Sequence, residues 1–449
     1  MSAVAWECGV AALGTGPSVP LAELNLREHA TGLGWSGWGR IRQADRSPAA
    51  VLFGRAQAHG LLPGAPVVIS LSPAGRDPAR TWPSILTELE VRSGADDPPA
   101  VFVRFADPLN HLAARSLYGA FADCTPGEIL AGSLARAATA EPGSLRVAHP
   151  SLPVLDIREC AGEKGARIAY AIAGGEPLLA FVRRLLDETG IRLAVLGLAS
   201  GTIRMDLTDD AGEPGRDADG AVRLAASFAS RTAPGTLGVR GLSAECGPCA
   251  ERSDGAGETG WVVRAHAVSE EAGLRAGGCV ELTGGAVADT RTWRIVSVSH
   301  RLADRGYRNE SRLESHAPSR SFEPAGRDPA PRVLTGTVHE EGSRAGAVVP
   351  VDTNGRIPVQ LACDPGSVVR LPFVVPMAGG VHGFAPACCE GDRVRIRVCG
   401  PFQAEVRGAL WSEALAPGEE LRSASLALHA APGLGVSFNT TDRTAELAS

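Results

Sequence analysis

The sequence predicts a mainly β protein with some α-helix (α+β), divided into more than one domain. Glycine and proline are frequent, at 54 and 32 of 449 residues, and aromatic residues make up only 5%. Short runs with an apolar residue at every second position recur along the chain, whereas long helical periods are few. Such runs between Gly- and Pro-rich turns are typical of half-buried antiparallel strands. The length favours roughly two to four domains.

Composition argues against several classes of protein. The net charge is −6 and no block of like charge occurs, so neither nucleic acid nor an anionic membrane is expected as a partner. No run of about 18 apolar residues predicts a membrane span. The segment Met1–Gly16 lacks the basic region of a signal peptide. Ten irregularly spaced cysteines favour reduced, cytosolic thiols over a disulfide framework.

Residues 1–150 are predicted to form a first barrel domain. The first 50 residues are weakly patterned, but three strands follow as a meander: Ala65–Ser72, Ser84–Arg92 and Ala100–Phe105. A helix is predicted to begin at Thr125, because Thr125 to Glu128 has the spacing of a capping box with proline at the first helical position.

Residues 151–325 are predicted to form a second, mixed α/β domain. Its helix, Glu176–Thr189, opens with Pro177, has a strongly apolar face that includes Leu179, and stops at Gly190. The predicted strands are Ala166–Ile172, Ile191–Gly197, Thr202–Leu207, Trp261–Ala267, Gly278–Thr283 and Thr292–His300. His316–Pro331 has the composition of a linker.

Residues 332–415 are predicted to form a small closed barrel of the OB type, since five strands fall in about 80 residues. The strands are Val333–His339, Arg356–Leu361, Val368–Val375, Asp392–Val398 and Glu405–Trp411. In the fourth, three aliphatic residues alternate with three arginines, which predicts one buried and one solvent-facing side. Residues 416–449 would form a short β stem, with Ser425–Asp442 as its strand-like part.

The strongest chemical motif is the pair Cys246 and Cys249, which has thioredoxin-type CxxC spacing. A reactive CxxC needs its first thiol at a helix N-terminus, where the thiol pKa falls. A loop-like segment follows Cys249 and no βαβ pattern surrounds the pair. A Gly-Pro turn with two incidental thiols is therefore favoured over a redox centre. No second CxxC completes a zinc site, and the thiols Cys388 and Cys389 are adjacent.

Other motifs give no active site. The only lysine, Lys164, lies outside a phosphate-binding loop, and Gly34–Trp38 lacks the last glycine of a nucleophile elbow and suits a Gly-rich turn. The carboxylate pairs Asp96-Asp97 and Asp209-Asp210 lie in turn-like segments. His266 and His300 fall in strand-like runs and are expected to be packed or surface residues. The sequence predicts no catalytic, cofactor-binding or metal-binding residues and no enzyme activity.

The order of segments resembles the VgrG spike proteins of type VI secretion and the equivalent hub and spike proteins of contractile phage tails and injection particles. The likeness is carried by Gly336-Thr337-Val338, by Val351–Val359, by Gly383–Val394 with its Gly-Asp pair, and by Gly408–Trp411 at the end of the barrel. Upstream, Leu61–Gly64, Gly174–Gly190, Leu274–Gly277 and Trp293–His300 resemble hub segments of that family.

The resemblance implies a homotrimer, in which each chain gives two barrel domains to a ring of pseudo-sixfold symmetry. That ring would seat on a hexameric tail tube protein and meet baseplate proteins. The OB barrels would gather below it, and the C-terminal strands would start a triple-stranded β-helix. Because the chain ends at Ser449, a separate spike-tip protein is expected. The particle would assemble in the cytoplasm and be delivered outward on contraction.

Two other interpretations stay open. The OB-type barrel could be a binding module for nucleic acid or glycan, with the arginines of Asp392–Val398 as its surface. Alternatively, the spike could carry a thiol-redox activity on Cys246 and Cys249. Phage tail, type VI apparatus and extracellular particle are all compatible with the sequence.

Overall fold

The protein is described here from a computed structural model. It describes residues 5–13, 17–29, 34–42, 49–75, 79–92, 100–138, 146–147, 152–159, 165–198, 200–209, 222–227, 236–248, 259–283, 292–304, 306–315, 331–374, 377–378, 383–384, 388–409, 425–431, 434–439 and 444–448. Residues 316–330 of the predicted linker His316–Pro331 and the carboxylate pair Asp96-Asp97 lie outside these ranges.

The described chain contains four helices and thirty strands. The helices are α1 Ala49–Ala58, α2 Pro108–Leu112, α3 Pro126–Ala138 and α4 Leu178–Thr189. The first strands are β1 Trp6–Ala12, β2 Val19–His29, β3 Gly34–Ile41, β4 Pro66–Pro73, β5 Arg80–Arg92, β6 Ala100–Ala106, β7 Ser116–Cys124, β8 Arg146–Val147, β9 Leu155–Arg158, β10 Ile168–Pro177, β11 Ile191–Gly197 and β12 Ile203–Asp209. Next come β13 Val222–Ser227, β14 Thr236–Pro248, β15 Thr259–Ser269, β16 Cys279–Thr283, β17 Thr292–Ala303 and β18 Gly306–Ser315. The last are β19 Arg332–Val338, β20 Val348–Val349, β21 Arg356–Leu361, β22 Asp364–Pro372, β23 Met377–Ala378, β24 Gly383–Phe384, β25 Cys388–Cys389, β26 Arg393–Gly400, β27 Gln403–Ala409, β28 Ser425–Ala431, β29 Leu434–Asn439 and β30 Thr444–Ala448.

The first six strands close into a barrel. They pair in the order β1-β4-β5-β6-β3-β2, and β2 returns to pair with β1. Alternation along the strands fills the interior: in β4, Val67, Ile69 and Leu71 are fully buried, while the residues between them are half-buried. Closure leaves no sheet edge along most of the barrel.

Strands β13 to β18 close into a second barrel, in the order β17-β16-β13-β14-β15-β18, with β18 returning to β17. Its core includes Leu274, Val280, Trp293, Ile295 and Leu313. When the six strands of each barrel are counted in chain order, the neighbours are the same in both: first with second, second with third, third with sixth, sixth with fifth, fifth with fourth, and fourth with first. One direction differs, because β13 runs parallel to its neighbours whereas β1 runs antiparallel to its own.

The two barrels share one continuous sheet. Leu24 to His29 of β2 pairs antiparallel with Leu302 to Ser297 of β17. One edge of each strand stays paired within its own barrel, β2 with β3 and β17 with β18. The other edge changes partner, since β2 first pairs with β1 at Val19 to Leu21 and β17 first pairs with β16 at Thr292 to Arg294. The second strand of one barrel therefore meets the fifth strand of the other. We call this pairing the intrachain junction.

A layer of helices and a small sheet completes this part of the chain. The sheet has the order β11-β12-β9-β8, and α3 and α4 pack on each other. Helix α4 buries Leu178, Phe181, Val182, Leu185 and Leu186, and it ends at Gly190, whose φ of 63° closes a left-handed C-cap. The chain as a whole divides into two compact units; the first holds both barrels and this layer, over residues 1–115, 126–166 and 178–325.

The second unit contains the OB-type barrel. Five strands pair in the order β22-β21-β19-β26-β27. The ends meet where Phe373 bridges to Val406 and the Val374 N–H donates to the Val406 carbonyl at 2.9 Å. Val394, Ile396 and Val398 are buried while Arg393 and Arg395 are exposed, which confirms the predicted alternation. The five strands predicted for residues 332–415 are all present, as β19, β21, β22, β26 and β27, with ends that differ by a few residues.

Two strands from earlier in the chain belong to this second unit. Residues 116–125 and 167–177, which contain β7 and β10, group with residues 326–449. Ala120, Tyr170 and Ile172 enter the core of the OB-type barrel. The Tyr170 hydroxyl donates to the Phe402 carbonyl at 2.8 Å, and the Ala120 N–H donates to Asp364 Oδ2 at 2.9 Å. We call the β7–β10 pair the brace. The sequence did not predict it, because its barrel partners lie more than 200 positions away.

The last three strands, β28 to β30, form an antiparallel meander at the C-terminal end of the sequence. Strands were predicted here. The four-domain division at 150, 325 and 415, and the winding of this segment with other chains, stay predictions.

Several predictions about the first 250 residues were wrong in detail. The weakly patterned residues 1–50 contain three barrel strands, and Gly34–Trp38 is part of β3 and not a turn. Helix α4 begins at Leu178 because β10 continues through Pro177, and Leu179 is only half-buried. Gly247 and Pro248 end strand β14, where a turn was predicted.

Candidate functional site

The most elaborate polar arrangement in the described structure is a buried cluster beside the intrachain junction. Its centre is Glu28 on β2, whose exposed fraction is 4%. The Arg80 guanidinium donates to Glu28 Oε1 at 2.8 Å, and the Trp82 indole N–H donates to the same oxygen. The second oxygen accepts from the Ala276 amide at 3.2 Å. Because Arg80 and Trp82 belong to the first barrel and Ala276 to the second, one carboxylate connects both.

His300 of β17 lies on the other side of Glu28. Its Nε2 is 3.3 Å from Glu28 Oε1, and its Nδ1 is 2.7 Å from the Tyr307 hydroxyl. Asn309 donates one amide hydrogen bond to the Tyr307 oxygen at 3.2 Å. This chain of donors assigns the Tyr307 hydrogen to His300 Nδ1 and the imidazole hydrogen to Nε2, facing Glu28. Ser269 and the Glu271 carbonyl hold Asn309 in place.

The charges in this cluster are fixed by its surroundings. Burial alone would raise the pKa of the Glu28 carboxyl, but the Arg80 guanidinium and the hydrogen bonds from His300 and Trp82 bring that pKa far below its usual range. Burial lowers the pKa of His300, although Glu28 opposes the shift. The cluster therefore holds an ionised carboxylate, one paired guanidinium and a neutral imidazole at neutral pH.

The cluster joins structural elements and does not resemble a reaction centre. All five central side chains, Glu28, Arg80, Trp82, His300 and Asn309, are at most 4% exposed. A substrate would have no access to them in this state. A hydrogen-bonded ion pair in such a place specifies which strands meet and in which register.

A second buried carboxylate supports the first barrel. Asp107 caps α2, with Oδ1 accepting from the Leu109 amide at 2.8 Å and Oδ2 from the Trp35 amide at 3.0 Å. Burial raises the pKa of Asp107 to about 7, although these hydrogen bonds oppose the shift. The Cβ of any other residue at Gly34 would stand 2.5 Å from the Asp107 carboxyl carbon, so this close approach requires glycine.

The motifs singled out in the sequence do not come together. Cys246 lies in β14 opposite Trp261, in extended backbone and not at a helix N-terminus, and Cys249 lies outside the described residues. Asp209 is the last residue of β12, and Asp210, like Cys249, lies outside the described residues. His266 is exposed, whereas His300 is buried in the cluster. The sequence did not indicate that His300 takes part in this cluster.

The OB-type barrel shows paired surface charges. Arg397 lies 3.5 Å from Glu405, and Arg370 donates to both oxygens of Glu340. Burial raises the pKa of the Cys388 thiol to about 11, which keeps it protonated and weakly reactive. Within the described ranges, no group of three or more His, Cys, Asp or Glu side chains is placed to bind a metal ion. No helix among the described elements is long and apolar enough to cross a membrane.

No protein-family model matches the sequence, and no curated protein matches it. Solved structures do match. A type VI secretion component of E. coli, described as similar to the T4 bacteriophage tail proteins gp27 and gp5, aligns with a TM-score of 0.59 at 16% identity, covering 89% of this chain and 99% of the other. The Francisella PdpA-VgrG complex aligns with a TM-score of 0.57 at 8% identity in its half-lidded form, covering 99% and 83% of the two chains. Its lidless form gives 0.56 at 10% identity, covering 100% and 99%.

These likenesses establish the fold. The mainly β architecture, with a closed six-stranded barrel and few helices, is that of VgrG-like hub and spike proteins, as the sequence resemblance predicted.

Proposed function

We propose that this protein is the central hub and spike of a contractile injection machine, acting mechanically and not as an enzyme. It would adapt a sixfold tail tube to a threefold spike and lead penetration of the target envelope. The observation that carries the proposal is the pair of barrels with the same strand order, joined through unlike strands within one chain.

The argument is one of symmetry. Contact between the second strand of one barrel and the fifth strand of the next is heterologous, and repeated heterologous contacts close into a ring when the rotation permits. Three chains with two barrels each supply six barrels, which is the number needed to meet a hexameric tube. The likeness in fold to type VI and phage tail proteins supports the same role.

The proposed partners follow from this role. They are two further copies of the chain, a hexameric tail tube protein, baseplate proteins and a separate spike-tip protein at the C-terminal strands. The particle would be assembled in the cytoplasm and delivered outward on contraction. The OB-type barrel and its brace would connect ring and spike.

The test is the solution mass of the purified full-length chain, measured by light scattering, followed by mixing with a hexameric tail tube protein. We expect three chains per particle and co-sedimentation with tube ends. A stable monomer that does not bind the tube would contradict the proposal.

A further inference from the structure

The edges of the two barrels show where neighbouring chains would join. In the first barrel, the fifth strand, β5, pairs with β4 only from Arg80 to Ile85, and in the described structure its backbone edge from Thr87 to Arg92 has no partner on that side. In the second barrel, the second strand, β14, pairs with β13 only from Thr236 to Gly238. Its edge from Gly241 to Pro248 likewise lacks a partner among the described residues.

These are the counterparts of the strands that meet at the intrachain junction. There, the second strand of the first barrel, β2, pairs with the fifth strand of the second, β17. The unpaired edges belong to the remaining second strand, β14, and the remaining fifth strand, β5. β14 pairs with β13 over three residues, as β2 does with β1, whereas β5 pairs with β4 over six and β17 with β16 over three. Beyond these pairs, β5 and β14 each keep a neighbour of their own barrel on one side only in the described structure.

A β-bulge marks this departure in all four strands. The irregularity falls at Ala22 in β2, Arg240 in β14, Thr87 in β5 and Val296 in β17. A bulge bends a strand and increases its twist, which is what a strand needs when it passes from one barrel to the next.

A turn with the same two hydrogen bonds lies beside the fifth strand of each barrel. It aligns β5 with β17 independently of the bulges. Gly64 donates to the Leu86 carbonyl at 2.7 Å and Leu86 donates back to Ala65 at 2.9 Å. In the second barrel, Gly277 donates to the Ile295 carbonyl at 2.8 Å and Ile295 donates back to Gly278 at 2.9 Å. Leu86 and Ile295 therefore correspond, each directly before the bulged residue.

Burial differs between the two corresponding fifth strands. In this alignment Leu89 and Val91 of β5 correspond to Val298 and His300 of β17. The two β17 residues are completely buried, because β2 covers their edge. On β5, Leu89 is half-buried and Val91 is 40% exposed, although both share the inward face with Val103 and Val101.

We propose that β14 of one chain pairs antiparallel with β5 of the next copy, repeating the intrachain junction between chains. This inference rests on the proposed ring of three chains and names its contact. The bulges give the register. Leu26 and His300, which pair at the intrachain junction, each lie four residues past the bulged residue, as do Ala244 and Val91. Ala244 should therefore oppose Val91, and Cys246 should oppose Leu89.

The two junctions differ in chemistry, which would keep them distinct. The positions of Glu28 and His300 at the intrachain junction are taken by Cys246 and Val91 at the interchain one. At the intrachain junction, Glu28 accepts a hydrogen bond from the amide of the turn residue Ala276. The corresponding turn residue of the first barrel is Pro63, which has no N–H to donate. A charged pair would thus select the partner within the chain, and apolar residues would meet between chains.

Cysteine cross-linking tests this register. The full-length chain carries Ala244→Cys and Val91→Cys in a Cys246→Ser background, and a short thiol-specific cross-linker is added to the purified protein. We expect a covalent species of three chains on a denaturing gel. Either single variant should give none. The matched control replaces Val91→Cys by Val351→Cys, since Val351 is equally exposed at 41%, and it should give none either.

A charge substitution provides a second readout. Val91→Asp should reduce the light-scattering mass from three chains to one and leave the far-UV spectrum unchanged, whereas Val351→Asp should keep the trimer. The proposed junction would be wrong if the parent is a trimer, the cysteine at position 91 cross-links no better than the one at 351, and Val91→Asp remains a trimer. That outcome would leave the proposed hub function intact. A parent that is monomeric would overturn both.

Discussion

At the scale of residues, the buried cluster shows how a few polar groups specify a contact between barrels. Glu28 and Arg80 are each 4% exposed, so neither charge is solvated well without the other. Leu24 and Leu26 are buried on the same side of β2 as Glu28, but residues 1–50 were too weakly patterned to distinguish Glu28 from an ordinary surface carboxylate. Its partners come from three other segments of the chain: β5, the turn at Ala276, and β17.

Glu28→Gln should destabilise the protein strongly. The change leaves the Arg80 guanidinium buried without a counter-charge, and breaking such a pair costs about 3–5 kcal/mol. Glu23→Gln on the same strand is the control, because the Glu23–Arg40 pair is about one-third exposed and should change stability by roughly 0–1 kcal/mol. Urea denaturation measures both. Equal effects of the two substitutions would refute the importance of the cluster.

His300 should make stability depend on pH. Burial keeps its folded pKa below the usual value, so the unfolded state binds the proton first as the pH falls through about 6.5. Stability should therefore drop between pH 7 and pH 5, by about 1.4 kcal/mol for each unit of pKa depression. Asp107 has the opposite effect on stability over this pH range. Because its pKa is raised in the folded state, the folded state binds this proton first and is stabilised as the pH falls.

The contribution of His300 can be separated from that of Asp107 by substitution. In His300→Gln the melting temperature should fall less between pH 7 and pH 5 than in the parent, whereas His266→Gln, at an exposed position, should follow the parent. An unchanged slope in His300→Gln would exclude this histidine as the source.

At the scale of elements, repeated turns explain how the same barrel is built twice. Leu61 to Gly64 and Leu274 to Gly277 share the pattern Leu-x-x-Gly, with both leucines fully buried and both glycines at φ near 87°. Both segments resemble hub segments in sequence. Their equivalence rests on the tertiary structure, in which each turn forms hydrogen bonds with the strand residue directly before a bulge.

Gly64→Ala and Gly277→Ala should each destabilise by about 1–2 kcal/mol, because a Cβ is unfavourable at positive φ. No atom lies within 4 Å of the added methyl at either position, so the loss would come from the backbone alone. Gly54→Ala in α1 is the control and should be neutral or stabilising by up to about 1 kcal/mol. A loss at only one turn would show that the repeats are not equivalent.

Some strands could not be predicted from local sequence patterns. Strand β3 reads as a turn because Gly34, Gly37 and Gly39 interrupt its apolar pattern. In the fold, a Cβ at Gly37 would stand 2.4 Å from the Asn25 carbonyl oxygen, so the glycine permits close packing of neighbouring strands. By contrast, the alternation in β26 identified its buried face correctly, because its neighbours cover one side only.

At the scale of the whole molecule, the two barrels of each chain predict what electron microscopy of the assembled particle should show. If three chains form the proposed ring, end-on views by electron microscopy should show six lobes around a threefold axis. The lobes should alternate between two kinds, because the barrels share a strand order but differ in the direction of their first strand. Three lobes, or an open chain of barrels, would contradict closed six-barrel geometry.

The sequence by itself determined the fold class, about half of the thirty strands, the main helix and the likeness to VgrG-type hubs, because these depend on local alternation, turn residues and their order. Tertiary structure alone decided which strands close each barrel, that Glu28, Arg80 and His300 meet, and that β7 and β10 belong with the OB-type barrel. These contacts join segments up to about 280 positions apart. Strand pairing over such distances depends on which edges are left unpaired, and local patterns do not encode that.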